Sequence, residues 1–308
     1  MSKVIVTGGA GFIGSHLADE LFKRGYQVII LDNLSTGNIS NLDSFLKKRN
    51  TEFVQGSITN LRLLQKLFSG ADYVFHQAAI PSVPRSVNNP KNSHNANITG
   101  TLNVLLAAKH NGIKKVVYAS SSSVYGDTPT LPKTEDMIPN PLSPYAVTKL
   151  AGEYYCKVFQ DIYGLKSTCL RYFNVYGPRQ DPNSLYAAVI PLFISYLKAG
   201  KSPVIFGDGE QSRDFTFVQD VAEANILAAE SNATGIYNIG SSESVTVNRL
   251  TQLIVRFIGN DSIKPVYKEP RSGDVLHSLA SISKAPGFGY HPKYSLEEGI
   301  KETINSFR

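Results

Sequence analysis

A glycine-rich turn set between a β-branched run and an amphipathic helix fixes the fold class of this 308-residue chain. Val4-Ile5-Val6 reads as a buried strand, Gly8-Gly9-Ala10-Gly11-Phe12-Ile13-Gly14 as a tight turn, and Ser15 to Phe22 as a helix with one apolar face. Gly25 ends that helix, and Val28-Ile29-Ile30-Leu31 supplies a second buried strand. Strand, glycine turn, helix and strand form the nucleotide-binding half of a doubly wound α/β fold. In such a unit Gly8 permits the turn, Gly11 lets backbone approach a pyrophosphate, and Gly14 lets helix pack on strand. The helix N-terminus offers unpaired N–H groups to the phosphates, beside the turn residues Phe12 and Ile13. Asp32 closes the unit. A carboxylate there accepts hydrogen bonds from the adenosine ribose hydroxyls and repels a 2′-phosphate, which favours NAD over NADP. The plainer alternative is that Asp32 only opens a turn with Asn33.

Strands and helices continue to alternate. Phe53 to Gly56, Asp72 to His76 and Lys115 to Ala119 read as strands, with helices over Leu61–Phe68 and Asn97–Lys109 between them. A further helix runs from Tyr145 to about Tyr163, followed by a strand-like run, Ser167 to Leu170. Beyond it Gly and Pro become frequent and strict alternation fades, as expected of a second lobe. The expected division is a doubly wound, parallel-sheet domain over 1–170, with later strands from about 204–240 interleaved, and a smaller mixed α/β lobe over 171–308. Hydrophobic residues at 42% and charged residues at 18% fit a globular enzyme of this class. The net charge of +6 raises nucleic acid as a partner, but the basic residues are scattered, with short clusters at Lys47-Lys48-Arg49 and Lys114-Lys115. A solvated surface with arginines for an anionic substrate explains them better. The only cysteines, Cys156 and Cys169, read as reduced core residues rather than a disulfide or metal site. No apolar run is long enough to span a bilayer, and the first strand leaves no room for a leader, so a cytoplasmic protein is expected.

Chemistry enters with Tyr145 and Lys149, in Ser143-Pro144-Tyr145-Ala146-Val147-Thr148-Lys149. A phenol titrates near 10 when free and transfers protons at neutral pH only if that value is pulled down. A lysine four residues on shares its helix face and can supply the pull. Of sixteen tyrosines, Tyr145 alone has a lysine at that offset. A solvated helix face is the bland alternative, but a nucleotide unit upstream points to a nicotinamide enzyme. Ser120-Ser121-Ser122-Ser123 ends the strand nearest this chemistry, and a serine there can relay a proton between a substrate hydroxyl and the tyrosine. His76, alone at a strand end, reads as structural.

Together these residues resemble the extended short-chain dehydrogenase/reductase family, and within it the NAD-dependent UDP-sugar 4-epimerases, over essentially the whole chain. Thr7 to His16 is similar to the family's cofactor loop, and Asp32-Asn33-Leu34-Ser35-Thr36-Gly37 to its adenosine-ribose segment. His76-Gln77-Ala78-Ala79 resembles the strand end beside the nicotinamide ribose. The resemblance makes Ser121 the partner of Tyr145 and Lys149, with Ser122 and Ser123 lining the same pocket. It places Phe173 beside the nicotinamide and Asn174 at the diphosphate. Ala188 and Val189, with Val204 and Phe206, look like uracil-facing stretches. Arg213, and the Arg271-x-x-Asp274 pair, match the nucleotide clamp. At the adenine edge the chain has Ser57-Ile58 where the family commonly has Asp before Ile.

The resemblance implies a specific reaction. Tyr145 takes the proton from the sugar O4 while C4 gives hydride to NAD, the 4-keto sugar turns over, and hydride returns to the other face. Lys149 holds the phenol pKa down and binds the nicotinamide ribose. Dehydratases and decarboxylases of the same scaffold are the rival enzymes, as is a UDP-glucuronate epimerase. Dehydration needs carboxylates just after Ser121, and none occurs before Asp127. A non-catalytic NAD-binding regulator would be expected to lack Tyr145 or Lys149. The family's dimers pack two helices per subunit into a bundle, which here means 97–109 and 145–163, the latter with Leu150, Tyr154, Val158 and Tyr163 at near-helical spacing. Homodimerisation is therefore expected. The family's gate to the sugar pocket falls at Ser278, where glucose/galactose-restricted relatives have a bulky tyrosine. Serine leaves room for an N-acetyl group, and Ser82-Val83-Pro84-Arg85-Ser86 is similar to epimerases of N-acetylhexosamines.

Overall fold

The computed structural model describes residues 1–43, 45–182, 188–259, 262–270 and 276–307. The glycine unit folds as β1 (Lys3–Thr7), α1 (Phe12–Lys23) and β2 (Gln27–Asp32), followed by β3 (Thr51–Gln55), α2 (Leu61–Leu67) and β4 (Tyr73–His76). Three helical pieces come next, α3 (Val83–Asn88), α4 (Pro90–His94) and α5 (Gly100–His110). A π-turn, Asn95–Thr99, joins the last two, so this helix begins earlier than its apolar spacing predicts. The first lobe continues through β5 (Lys115–Ser121), α6 (Pro144–Tyr163) and β6 (Ser167–Tyr172). The rest of the chain forms β7 (Val175–Tyr176), α7 (Val189–Lys198), β8 (Val204–Phe206), β9 (Ser212–Arg213), β10 (Thr216–Phe217) and α8 (Val218–Glu230). It ends with β11 (Gly235–Ile239), β12 (Val245–Thr246), α9 (Val247–Ile258), β13 (Val266–Lys268) and α10 (Leu296–Ser306).

The expected doubly wound sheet is present: seven parallel strands in the order β3-β2-β1-β4-β5-β6-β11. Order reverses between β1 and β4, so the crevice at their C-terminal ends is the natural ligand site. Of the stretch 204–240, only β11 enters the sheet, with α8 covering it; β8 pairs instead with β13, apart from it. Residues alternate faces along β1. Val4 and Val6 pack with Leu17, Leu21 and Ala224, whereas Ile5 packs on the opposite face with Leu64, Val74 and Leu105. Helices cover both faces, which is why these strands read as unbroken apolar runs. A separate core of Ile190, Phe193, Leu250, Ile254 and Ile300 holds α7, α9 and α10 together in the smaller lobe.

Candidate active site

The glycine turn opens a cleft of about 680 Å³ across the C-terminal ends of β1, β2, β4 and β5. Gly8 has φ +70°, and a Cβ there would lie 2.6 Å from the Ala78 backbone. A Cβ on Gly14 would lie 2.2 Å from Gly8 O, so α1 could not start this close to the strand with any other residue. Gly11 caps α1 with no side-chain bond to the first-turn N–H groups, which leaves them as an anion site. Asp32 sits at the far end, 8% exposed. Its Oδ2 accepts from Ala10 N at 3.0 Å and its Oδ1 from Leu34 N at 2.8 Å. Desolvation raises its carboxyl above the usual range, and these backbone bonds oppose the rise. Asp32 organises its turn, as the plainer alternative has it, and also lines the cleft.

The cleft brings together Gly8, Gly11, Phe12, Ile13 and Gly14 with Asp32, Asn33, Ser35 and Thr36. Ser57, Ile58, Gln77, Ala78, Ala79, Tyr145 and Lys149 complete the predicted set. Gly37 and Phe173 do not line it. Phe173, just past the end of β6, is fully buried against Val124, Tyr125 and Ala280. Ser57 bonds Thr59 Oγ1 at 2.8 Å, so the residue standing where the family commonly has Asp is a turn-former here.

Tyr145 lies in the first turn of α6, which Ser143 caps by accepting from Ala146 N at 3.1 Å, with Pro144 at its start. Tyr145 N donates to the buried Ser86 Oγ at 3.0 Å, which ties the helix start to α3. Asn97 accepts from Ile80 N at 2.8 Å and donates to Thr148 Oγ1 at 3.0 Å, bracing α6 against the loop after β4. The sequence reading missed Ser86 and Asn97. The π-turn beside Asn97, a frequent mark of functional sites, is their structural signature.

Lys149 is 4% exposed, and its Nζ donates to Ala119 O at 2.7 Å. Desolvation pulls its pKa down to about 8, while Glu153 holds it up. Its ammonium stands 5.8 Å from the centroid of the half-buried Tyr145 ring. The expected depression of the phenol is not the outcome in this geometry. Burial pushes Tyr145 up to about 12 and the bond with Ser121 opposes the rise, while one N–H of Lys149 goes to Ala119 O. Ser121 Oγ also accepts from Ser123 N at 3.2 Å. Ser123 Oγ is buried without a hydrogen-bond partner. His76 is structural: Nδ1 bonds Thr7 Oγ1 at 2.8 Å, Nε2 bonds Thr101 Oγ1 at 2.9 Å, and burial takes its pKa down to about 3.

A second cavity, about 280 Å³, gathers Asn174, Ala188, Val189, Val204, Phe206 and Arg213, all foreseen as nucleotide contacts. Arg213 Nη1 donates to Ser212 O at 2.9 Å and Leu276 O at 3.1 Å. Ser278 N donates to Ser212 O at 3.0 Å, which sets residue 278 beside β9. Ser82 caps α3 with φ +95° and lies outside both cavities, as do Ser121, Ser122, Ser123 and Ser278; Ser121 is brought to the site by its bond with Tyr145. Arg271 and Asp274 lie outside the described residues. Among the described residues there is no metal-binding cluster, both cysteines are free and buried, and no helix is long and apolar enough to cross a membrane.

Comparison with known proteins agrees with this geometry. Residues 4–240 match the NAD dependent epimerase/dehydratase family. A UDP-glucose 4-epimerase of Mycolicibacterium smegmatis is 39% identical, over 99% of this chain and 98% of its own length. A UDP-N-acetylglucosamine 4-epimerase from Methanobrevibacter ruminantium, solved with UDP-N-acetylmuramic acid, is 46% identical with a TM-score of 0.96, covering 99% of this chain and 98% of that one. A UDP-glucose 4-epimerase from Thermotoga maritima, solved with UDP-glucose, is 43% identical with a TM-score of 0.94 at the same coverage.

Proposed function

Starting from a chain that belongs to the NAD dependent epimerase/dehydratase family, we propose that it interconverts UDP-glucose with UDP-galactose and UDP-GlcNAc with UDP-GalNAc. The observation that carries this reading is the Tyr145 phenol, bonded to Ser121, on the same cleft wall as the buried Lys149 ammonium. The cleft fits NAD. Its glycine cradle has no room for a Cβ at Gly8 or Gly14, its helix start is open to an anion, and Asp32 stands where the adenosine ribose hydroxyls would lie. NAD bound there supplies a reversible hydride acceptor.

Tyr145 Oη takes the proton from the sugar O4 and returns it after the sugar has turned over. Ser121 Oγ bridges O4 and the phenol. Lys149 would meet the nicotinamide ribose, and its ammonium, on the same cleft wall as Tyr145, is the positive charge available to a phenolate once cofactor and substrate are bound. Arg213, Asn174 and the apolar wall at Val189, Val204 and Phe206 suit the diphosphate and uracil.

Asp32 is the only carboxylate among the described residues lining the cofactor cleft, at the end remote from Ser121. That supports epimerisation over dehydration, which needs an added acid and base. The small side chain at Ser278 supports acceptance of an N-acetyl group at C2. The exposed apolar face of α6, with Val147, Tyr154, Val158 and Ile162, supports a homodimer, while Leu150 packs inward. Incubation with UDP-glucose and with UDP-GlcNAc, followed by mass spectrometry, tests the reaction class. A chromatographically separated product isobaric with its substrate is expected; loss of water, or loss of carbon dioxide when UDP-glucuronate is supplied in parallel, would assign a rival.

A further inference from the structure

Behind Tyr145 and Lys149 lies a buried ion pair with no part in the chemistry described so far. Glu153 stands one helical turn after Lys149 on α6 and is 3% exposed, and Arg171 on β6 is 1% exposed. Arg171 holds the carboxylate by two bonds, Nε to Oε1 at 2.8 Å and Nη2 to Oε2 at 2.7 Å. Ser120 Oγ donates to the same Oε1 at 2.5 Å. One carboxylate therefore joins the helix of Tyr145 and Lys149, the strand end of Ser121, and the strand that leads to Asn174.

The helix lies close against β5 at this level. A Cβ on Gly152 would fall 2.2 Å from the Tyr118 hydroxyl, which donates to Lys149 O at 3.3 Å. A buried ion pair adds little stability on its own, because desolvation offsets its attraction, so its presence here calls for another role. The Lys149 ammonium supplies one. Facing it are Ala119 O, the rings of Tyr118 and Tyr145, neutral His76, and Glu153, the one acid among them. Burial works against the ammonium and Glu153 works for it.

We propose that Glu153 is a positioning residue for this reaction: its carboxylate, held by Arg171 and Ser120, sets Lys149 and Ser121 around the Tyr145 phenol and is the counter-charge of the Lys149 ammonium. This rests on the reading of Tyr145 and Lys149 as the catalytic pair. Glu153→Gln keeps the shape and removes the charge. The alkaline limb of its kcat profile is expected to move acidward by about one pH unit. The alkaline limit of NAD binding, followed by calorimetry, is expected to move with it, because Lys149 lines the cofactor cleft. Glu153→Asp keeps the charge, so both limits stay in place while kcat drops by about tenfold through misplacement. A folded Glu153→Gln protein with both limits at their wild-type pH overturns the proposal. If Glu153→Gln does not fold, Ser120→Ala decides. A several-fold loss of kcat at unchanged KM and unchanged melting temperature supports the clamp, and wild-type kcat overturns it. Tyr145→Phe run alongside separates the two ideas. An inactive Tyr145→Phe with unshifted Glu153→Gln removes only the clamp, whereas an active Tyr145→Phe removes the catalytic reading itself.

Discussion

In the sheet lobe, β4 to β6 pair side by side over four to six positions, and the strand ends present the cofactor cleft on a continuous frame. In the smaller lobe no described strand exceeds three residues, and each two-stranded sheet there pairs only two or three positions. What replaces a frame is a single anchor. Asp214, fully buried, accepts from Ser241 N at 2.7 Å, Ser241 Oγ at 2.8 Å, Ser242 N at 3.0 Å and Ala280 N at 3.1 Å. It thereby ties the loop after β11 to the segment carrying Ser278. The groups proposed to react thus stand on the long strands and helix of one frame, where an ångström of error is expensive, and those proposed for recognition stand on short strands and a helix start that can be retuned without moving the chemistry.

The sharpest way to break this division is Tyr145→Phe. Removing the phenol hydroxyl should lower kcat about a thousandfold, within the usual range for a lost acid/base group, while NAD and UDP-sugar affinities measured by calorimetry stay near wild type. A variant within tenfold of wild type contradicts the assignment. Next in size is Asp214→Ala, which leaves four donors without their charged acceptor. It should cost about 3 kcal/mol of stability and weaken UDP binding far more than NAD binding. Equal losses for both ligands would show that the lobes are not separable. Ser278→Tyr acts more narrowly. Turnover of UDP-GlcNAc should vanish while UDP-glucose is converted at nearly the wild-type rate, and unchanged UDP-GlcNAc turnover sinks the gate. Smallest in its effect on chemistry is Val158→Lys on the exposed face of α6, which light scattering should find monomeric beside a dimeric wild type. A monomeric wild type at micromolar concentration removes the dimer.

The same contrast explains what the sequence disclosed. Gly8, Gly14 and Asp32 were legible because each answers to a local backbone demand within one strand-turn-helix-strand unit. Tyr145 and Lys149 were legible because helical spacing alone puts them on one face. Ser86 escaped notice because its bond to Tyr145 N spans 59 positions and no periodicity announces it. The ordering of the two pKa values also lay beyond the sequence. Spacing places an ammonium near the phenol, but only the fold shows that Lys149 donates to Ala119 and that burial dominates both groups. Val204 to Phe206 read as a late strand of the main sheet because an apolar triplet carries no record of its partner, which is β13. In the small lobe the resemblance placed the recognition residues and physics alone did not, since its short strands leave no repeating pattern to read.

The most direct test of the account follows the hydrogen on C4. UDP-glucose carrying deuterium at C4 should be converted to UDP-galactose with the label still on C4 in both epimers, as one hydride leaves and returns within a closed site. An epimer whose C4 deuterium has been exchanged for solvent hydrogen, or no epimer at all from NAD-loaded protein, would contradict it.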